Sequence, residues 1–290
     1  MAKQAAFKTN PVSLEELLRL CGNGKIQLPD FQRSWVWDED RIKALIASIS
    51  QAFPVGALMT LDVKPGGADT FARRPVQGAD AIAATATPDQ LLLDGQQRMT
   101  SLYQTCMRRD VVHTITPRLK LVKRWFYIDI RKAMNPAVDR ENAIIAVPDN
   151  RRIKSDFDRK IELDLSTPEL EYQQLLFPLN QTFDWDEWQD GFNEYWLERD
   201  PDTPRLFKPF KDDILQNFKA YQLPVIALSP DTSHEAVCLV FEKVNTGGKP
   251  LDAFELVTAM YAARGHRLRD DWHGVEGAPG LQRRLQLYGR

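Results

Sequence analysis

The apolar run Leu91-Leu92-Leu93 is cut off by Asp94-Gly95, and helical spacing begins at once. Met99, Leu102 and Cys106 fall on one side of a helix predicted from about Gln96 to Arg109. A buried strand that turns over one glycine into an amphipathic helix commits this stretch to a sheet with helices packed on it. The neighbouring segments agree. Ser13-Leu-Glu-Glu16 reads as a capping box opening a helix that Gly22 or Gly24 stops. Lys25–Leu28 is extended. Asp38 reads as the N-cap of a helix carrying Ile42, Leu45, Ile46, Ile49 and Phe53, ended by Pro54. Val55–Val63 and Trp125–Ile130 read as strands, while Lys64–Asp89, rich in Gly, Pro, Ala and Thr, predicts a mobile connection.

Beyond about residue 150 the pattern becomes helical. Thr167–Phe177, Asp184–Arg199, Arg205–Ala220 and His234–Val244 predict helices, interrupted by a strand over Gln222–Leu228. Trp185, Trp188, Phe192, Tyr195 and Trp196 read as core and interhelix contacts rather than a base-stacking platform. The expectation is an α+β fold. A mixed α/β unit spans residues 1–150, and a mainly helical region, 151–290, packs on it. The chain stops at Arg290 with no obvious closing element, which reads as one part of a longer protein.

No stretch has the apolar length of a membrane span, and the first residues lack a signal-peptide core. Cys21, Cys106 and Cys238 are far apart and odd in number, which suits small buried thiols in a reducing cytoplasm. The net charge is −2, but the charge is segregated. Arg98–Lys132 holds nine Lys or Arg against Asp110 and Asp129, and Asp184–Asp202 holds eight acidic residues against Arg199. A local basic surface attracts phosphate without a high overall pI. Arg108, Arg109, Lys120, Lys123 and Arg124 are therefore the candidate DNA contacts. The bland alternative is two solvated faces.

Three segments are placed to carry chemistry. At Asp94-Gly95-Gln96-Gln97-Arg98 a glycine turn into a helix favours phosphate, with Arg98 as a bidentate donor and Asp94 as a metal or water ligand. An ordinary strand–turn–helix, with Asp94 as a cap and Arg98 in a surface ion pair, satisfies the same residues. At Pro29-Asp30-Phe31-Gln32-Arg33, Gln32 and Arg33 offer forked donors to phosphate or base edges. At Asn245-Thr246-Gly247-Gly248-Lys249-Pro250 the glycines can form an anion nest with Asn245 and Lys249 as polar ligands. Pro250 stands where a Walker A loop needs Ser or Thr, so this is not that loop. His113, His234, His266 and His273 have no zinc spacing, and there is no Gly-x-Ser-x-Gly elbow.

In order along the chain stand LPDFQRSWVW from Leu28, DGQQRMTSL from Asp94 and FEKVNTGGKPL from Phe241. Together, over roughly residues 13–262, they resemble the GmrSD-type restriction endonuclease N-terminal domain family of bacterial anti-phage defence proteins. The resemblance implies a ParB/sulfiredoxin-like first half in which Asp94–Arg98 handles a nucleotide phosphate. It implies a nucleoside triphosphate as ligand, Mg²⁺ as the expected divalent metal, and modified phage DNA as a sensed partner. In this reading Asp94, Gln97 and Arg98 are catalytic, with Asp94 also the metal ligand. Gln32, Arg33, Gly95, Gln96, Asn245, Gly247, Gly248 and Lys249 bind nucleotide. The family's nuclease is often a separate His-Asn-His domain, and no such constellation occurs before Arg290. Cutting is therefore expected of a domain or subunit elsewhere. The competing reading is a binding module that turns nothing over. The nucleotide and the oligomeric state stay open.

Overall fold

The structure, a computed structural model, describes residues 7–32, 34–35, 37–65, 71–79, 81–116, 118–155, 160–244, 261, 268–275 and 278–281. In chain order the elements begin β1 (Phe7–Ser13), α1 (Leu14–Gly22), β2 (Ile26–Pro29), α2 (Glu39–Ser50), β3 (Leu58–Asp62), β4 (Arg73–Arg74), β5 (Gln90–Asp94) and α3 (Gln96–Leu102). Next come β6 (Val112–Ile115), β7 (Leu121–Asp129), α4 (Ile130–Met134), β8 (Ile144–Pro148), β9 (Arg152–Ser155), β10 (Lys160–Asp164), α5 (Pro168–Gln174) and β11 (Leu176–Pro178). Then follow α6 (Asp186–Leu197), α7 (Phe207–Phe210), α8 (Gln216–Ala220), β12 (Gln222–Leu228) and α9 (His234–Val244). The fold is α+β.

Side-chain caps set the helix starts. The Ser13 hydroxyl accepts from the Glu16 N–H at 3.2 Å, and the Asp38 carboxylate accepts from the Arg41 N–H at 2.9 Å. Each satisfies a backbone donor that the first helical turn leaves without a partner.

The main sheet runs β1-β12-β3-β5-β2-β4. β12 lies antiparallel to β1 and parallel to β3, so residues 222–228 supply an interior strand between strands from the first 62 residues. β5 pairs antiparallel to β3 and parallel to β2. Leu92 packs with α1, α2 and α3 in the larger core, while Leu91 and Leu93 pack with Phe31, Phe71, Val237 and Phe241 on the other side. A strand covered on both faces needs an unbroken apolar run, which accounts for the three leucines.

β7 is the hub of a second sheet. It pairs with β6 over Leu121–Arg124, with β8 over Arg124–Ile128 and with β11 at its end. Against it lie the expected core aromatics. Trp188, Phe192, Phe177, Phe207 and Phe210 form a contiguous buried cluster, with Trp188 stacked on Phe192 at 5.1 Å.

Several boundaries differ from the sequence expectation. The helix after Gly95 widens at Tyr103–Met107, where the Arg108 N–H bonds the Tyr103 carbonyl at 2.9 Å, and it stops there. α5 ends early because Leu175 takes a left-handed conformation and its chain pairs with β7. The expected mobile connection holds Phe71, Val76 and Ala83, all buried, because apolar side chains within it reach the core. β1, β8, β9 and β10 carried no clear alternation. β1 is mostly exposed and contains Pro11, which an edge strand tolerates.

Candidate functional site

The turn from β5 to α3 requires glycine. Gly95 has φ +93°, and a Cβ there would sit 2.2 Å from Cδ2 of Leu58, itself buried. Arg98 folds back over this turn. Its Nη1 donates to the Val55 carbonyl at 2.5 Å, and its Nη2 donates to the Ala57 carbonyl at 2.8 Å and to Asp94 Oδ2 at 3.1 Å. The guanidinium thus clamps the loop between α2 and β3 onto the turn. Gly56 permits the approach, because a Cβ there would meet Arg98 Nη1 at 2.8 Å. Tyr221 holds the same loop from the other side. Its hydroxyl donates to the Phe53 carbonyl at 2.6 Å and accepts from the Val55 N–H at 3.1 Å. Burial raises the Tyr221 phenol above its ordinary value, keeping the donor proton in place.

The segment from Leu28 is sewn to the same turn. Gln32, buried, donates from Nε2 to the carbonyls of Leu92 and Leu93 at 2.7 and 3.1 Å. Gln97 Nε2 donates to the Ser34 carbonyl at 3.2 Å, and the Trp35 indole donates to the Ser101 hydroxyl at 3.0 Å. The third segment arrives through its first residue. The ring of Phe241 meets that of Phe31 edge-on at 5.1 Å. Asp94, Gln96, Gln97 and Arg98 therefore gather with Gln32 around one strand end. Gln96 is buried, and Asp94, Gln97 and Arg98 are half-buried. Arg33, Asn245, Gly247, Gly248 and Lys249 lie outside the described residues.

Gly56, Tyr221 and Ser101 were not singled out from sequence, because each acts through a contact between distant segments.

The five basic candidates divide. Arg108 pairs with Asp110 at 2.5 Å, Arg109 with Asp184 at 2.9 Å and Arg124 with Glu39 at 2.7 Å. Lys120 and Lys123 are exposed on the hairpin that joins β6 to β7, beside exposed Arg118, Leu119 and Leu121. Acidic Asp184 is thus a partner of the basic run rather than a separate face.

Asp94 offers one carboxylate, and Oδ2 already accepts from Arg98. Among the described residues no group of three or more His, Cys, Asp or Glu is placed to hold a metal. A magnesium ion held by this one carboxylate would need substrate phosphate and water as its other ligands. Among the described residues no helix is long and apolar enough to cross a membrane. All three cysteines are free and buried, and burial pushes the Cys21 and Cys106 thiols up to about 12.

Comparison with known proteins bears on this geometry. The uncharacterized protein MJ0686 of Methanocaldococcus jannaschii is 26% identical over 268 residues, covering 90% of this chain and 43% of the relative. The chain thus spans less than half the length of that protein. Residues 14–262 match the GmrSD restriction endonuclease, N-terminal domain, a stretch that contains every motif residue gathered at the β5–α3 turn. The chain belongs to the GmrSD restriction endonuclease N-terminal domain family.

Proposed function

We propose that this chain is the nucleotide-binding, nucleoside-triphosphate-hydrolysing and DNA-sensing unit of an anti-phage restriction system, regulating a nuclease located in the same protein or on a partner. Family membership supports a role in a restriction system. The observation that carries the finer reading is the convergence of the segments at Phe31–Trp35, Asp94–Ser101 and Phe241 through direct bonds and ring contacts. A structural strand–turn–helix needs no such company.

Hydrolysis of a terminal phosphate asks for charge neutralisation and an aligned water. In this reading Arg33, Lys249 and Arg98 neutralise charge. Gln97, with Gln96 beside it, aligns the water. Gly95 lets the backbone approach the anion, and Asn245, Gly247 and Gly248 close over it. Asp94 orients the Arg98 guanidinium, and Gln32 fixes the strand end under the ligand. Lys120 and Lys123, with Arg124, Arg108 and Arg109 at its base, dock the DNA backbone through the β6–β7 hairpin.

A second reading is favoured by one contact set. Arg98 directs its donors to two backbone carbonyls and Asp94, the pattern of a positioning group in a binding module without turnover. The two are separated by incubating the purified chain with each common nucleoside triphosphate and Mg²⁺, with and without duplex DNA. Saturable binding with phosphate release supports the enzyme, and a nucleotide-induced rise in melting temperature without release supports the binding module. Neither binding nor release at millimolar nucleotide refutes both.

A further inference from the structure

The hairpin of β6 and β7 lies with one face on the body of the protein and the other turned outward. Residues directly opposite in an antiparallel pair share a face, and successive residues alternate. Val112, Thr114, Val122 and Arg124 therefore lie on one face, and His113, Ile115, Leu121 and Lys123 on the other. The first face is anchored. Val112 joins the larger core, the Thr114 hydroxyl donates to the Trp37 carbonyl at 2.7 Å, and Arg124 pairs with Glu39. On the second face His113, Leu121 and Lys123 are exposed. Thr116 closes the tip. Its N–H donates to the Lys120 carbonyl at 2.9 Å, its carbonyl accepts from the Leu119 N–H at 2.8 Å, and its hydroxyl accepts from the Lys120 N–H at 3.2 Å. The tip thus has one defined shape.

Two properties of that shape are unfavourable for an isolated fold. Leu119 holds φ +61°, a left-handed conformation that costs a residue with a Cβ about 1–2 kcal/mol. Leu119 and Leu121 are 77% and 83% exposed, more than any other large apolar side chain among the described residues. Around them stand Arg118, Lys120 and Lys123, all exposed. The other basic residues of this run are in ion pairs, Arg108 with Asp110, Arg109 with Asp184 and Arg124 with Glu39, whereas these three have no acidic partner among the described residues. No Asp or Glu stands between Asp110 and Asp129 in the sequence. Cations alone would suffice to dock on phosphates. An apolar pair set among free cations fits a polyanion with an apolar interior, which describes base pairs stacked between two phosphate chains. Two leucines offer far less surface than a stable protein interface buries, but one or two apolar side chains are enough to part a base step.

We propose that the tip of this hairpin is a wedge: Leu119 and Leu121 enter between two base pairs of a duplex while Arg118, Lys120 and Lys123 hold the flanking phosphates. The duplex is kinked at that step, so the preferred partner is DNA that unstacks easily, at a pyrimidine–purine step or a mismatched pair. The inference rests on the reading of this hairpin as the DNA contact and is independent of nucleotide hydrolysis at Asp94–Arg98.

The test uses the full chain with two short duplexes that differ only in a central mismatch, each carrying 2-aminopurine beside it, a base that brightens when it unstacks. Affinity is read by fluorescence anisotropy across a range of salt. The variant combines Leu119→Asn, which tolerates the left-handed backbone, with Leu121→Thr, which suits a strand. The expected result is brightening of 2-aminopurine on binding and a preference of about tenfold for the mismatched duplex, because a mismatched base is the easier one to unstack. The double variant should lose both and keep the salt dependence, since no cation is removed. DNA binding without brightening overturns the wedge and leaves the hairpin as a phosphate contact, and so does a double variant that brightens and discriminates like the parent. Absence of DNA binding at low salt removes the DNA reading together with the wedge. Binding to vesicles of phosphatidylserine in place of DNA would assign the leucines to a lipid surface and overturn the proposal. The parent titrations decide this even if the variant fails to fold.

Discussion

Arg98→Ala removes two charge-assisted hydrogen bonds to backbone carbonyls and the contact with Asp94. The side chain is 18% exposed, so water replaces those bonds only in part. Hydrogen bonds to charged groups contribute about 1.5–3 kcal/mol each. Partial rehydration of the Val55 and Ala57 carbonyls reduces the sum, and we expect a loss of about 2–4 kcal/mol. For a chain of this size that corresponds to a fall in melting temperature of roughly 3–7 °C. Arg98→Lys keeps the charge but not the fork, and should fall between the two. The assay is urea unfolding at equilibrium, comparing midpoints at a common slope, with calorimetric melting as a check. An Arg98→Ala protein within about 0.5 kcal/mol of the parent, the range of an ordinary surface substitution, would refute the clamp. The carbonyl contacts mean that activity must be read against the folded fraction.

Gly95→Ala should cost about 3 kcal/mol or more, because alanine pays for the left-handed backbone and its Cβ meets a Leu58 that has no room to swing away; an unchanged melting temperature would contradict this. Burial pushes the Glu171 carboxyl up to about 7, against the opposing effects of Trp188, Arg151 and Tyr127. Its folded value lies above the unfolded one, so the folded state holds the proton more tightly. Stability is full below about pH 4.5 and falls by about 3 kcal/mol as pH rises to about 7. Urea midpoints measured across that window should flatten in Glu171→Gln, and a parallel slope would sink the assignment. Lys120→Glu with Lys123→Glu should weaken DNA binding and shallow its log–log salt dependence by about 2 without a change in melting temperature. An unchanged salt slope in a fluorescence anisotropy titration would remove the hairpin from the interface.

Much of the secondary structure was legible because its causes are local. Ser13 and Asp38 cap helices where their side chains reach the next turn, and β12 and α9 fall where alternation and helical spacing place them. The aromatics of α6 were legible as core for the same reason. The strands β1, β9 and β10 were not, because short edge strands with exposed faces carry little apolar alternation. The widened turn at Tyr103–Met107 also left no local mark.

By itself the sequence determined that Leu91–Leu93 would be a buried strand, that Gly95 would turn it, and that a helix would follow. Those outcomes rest on apolar periodicity and on the one residue that tolerates a left-handed turn. Through its ordered motifs it also determined the family. Only the tertiary structure decided what Arg98 and Gln32 touch. Their partners are backbone carbonyls on β5 and on the loop between α2 and β3, 41 to 61 residues away along the chain. A carbonyl is the same at every position, so no residue type announces which one a guanidinium or an amide will meet. Folding settles that by bringing the strand ends together.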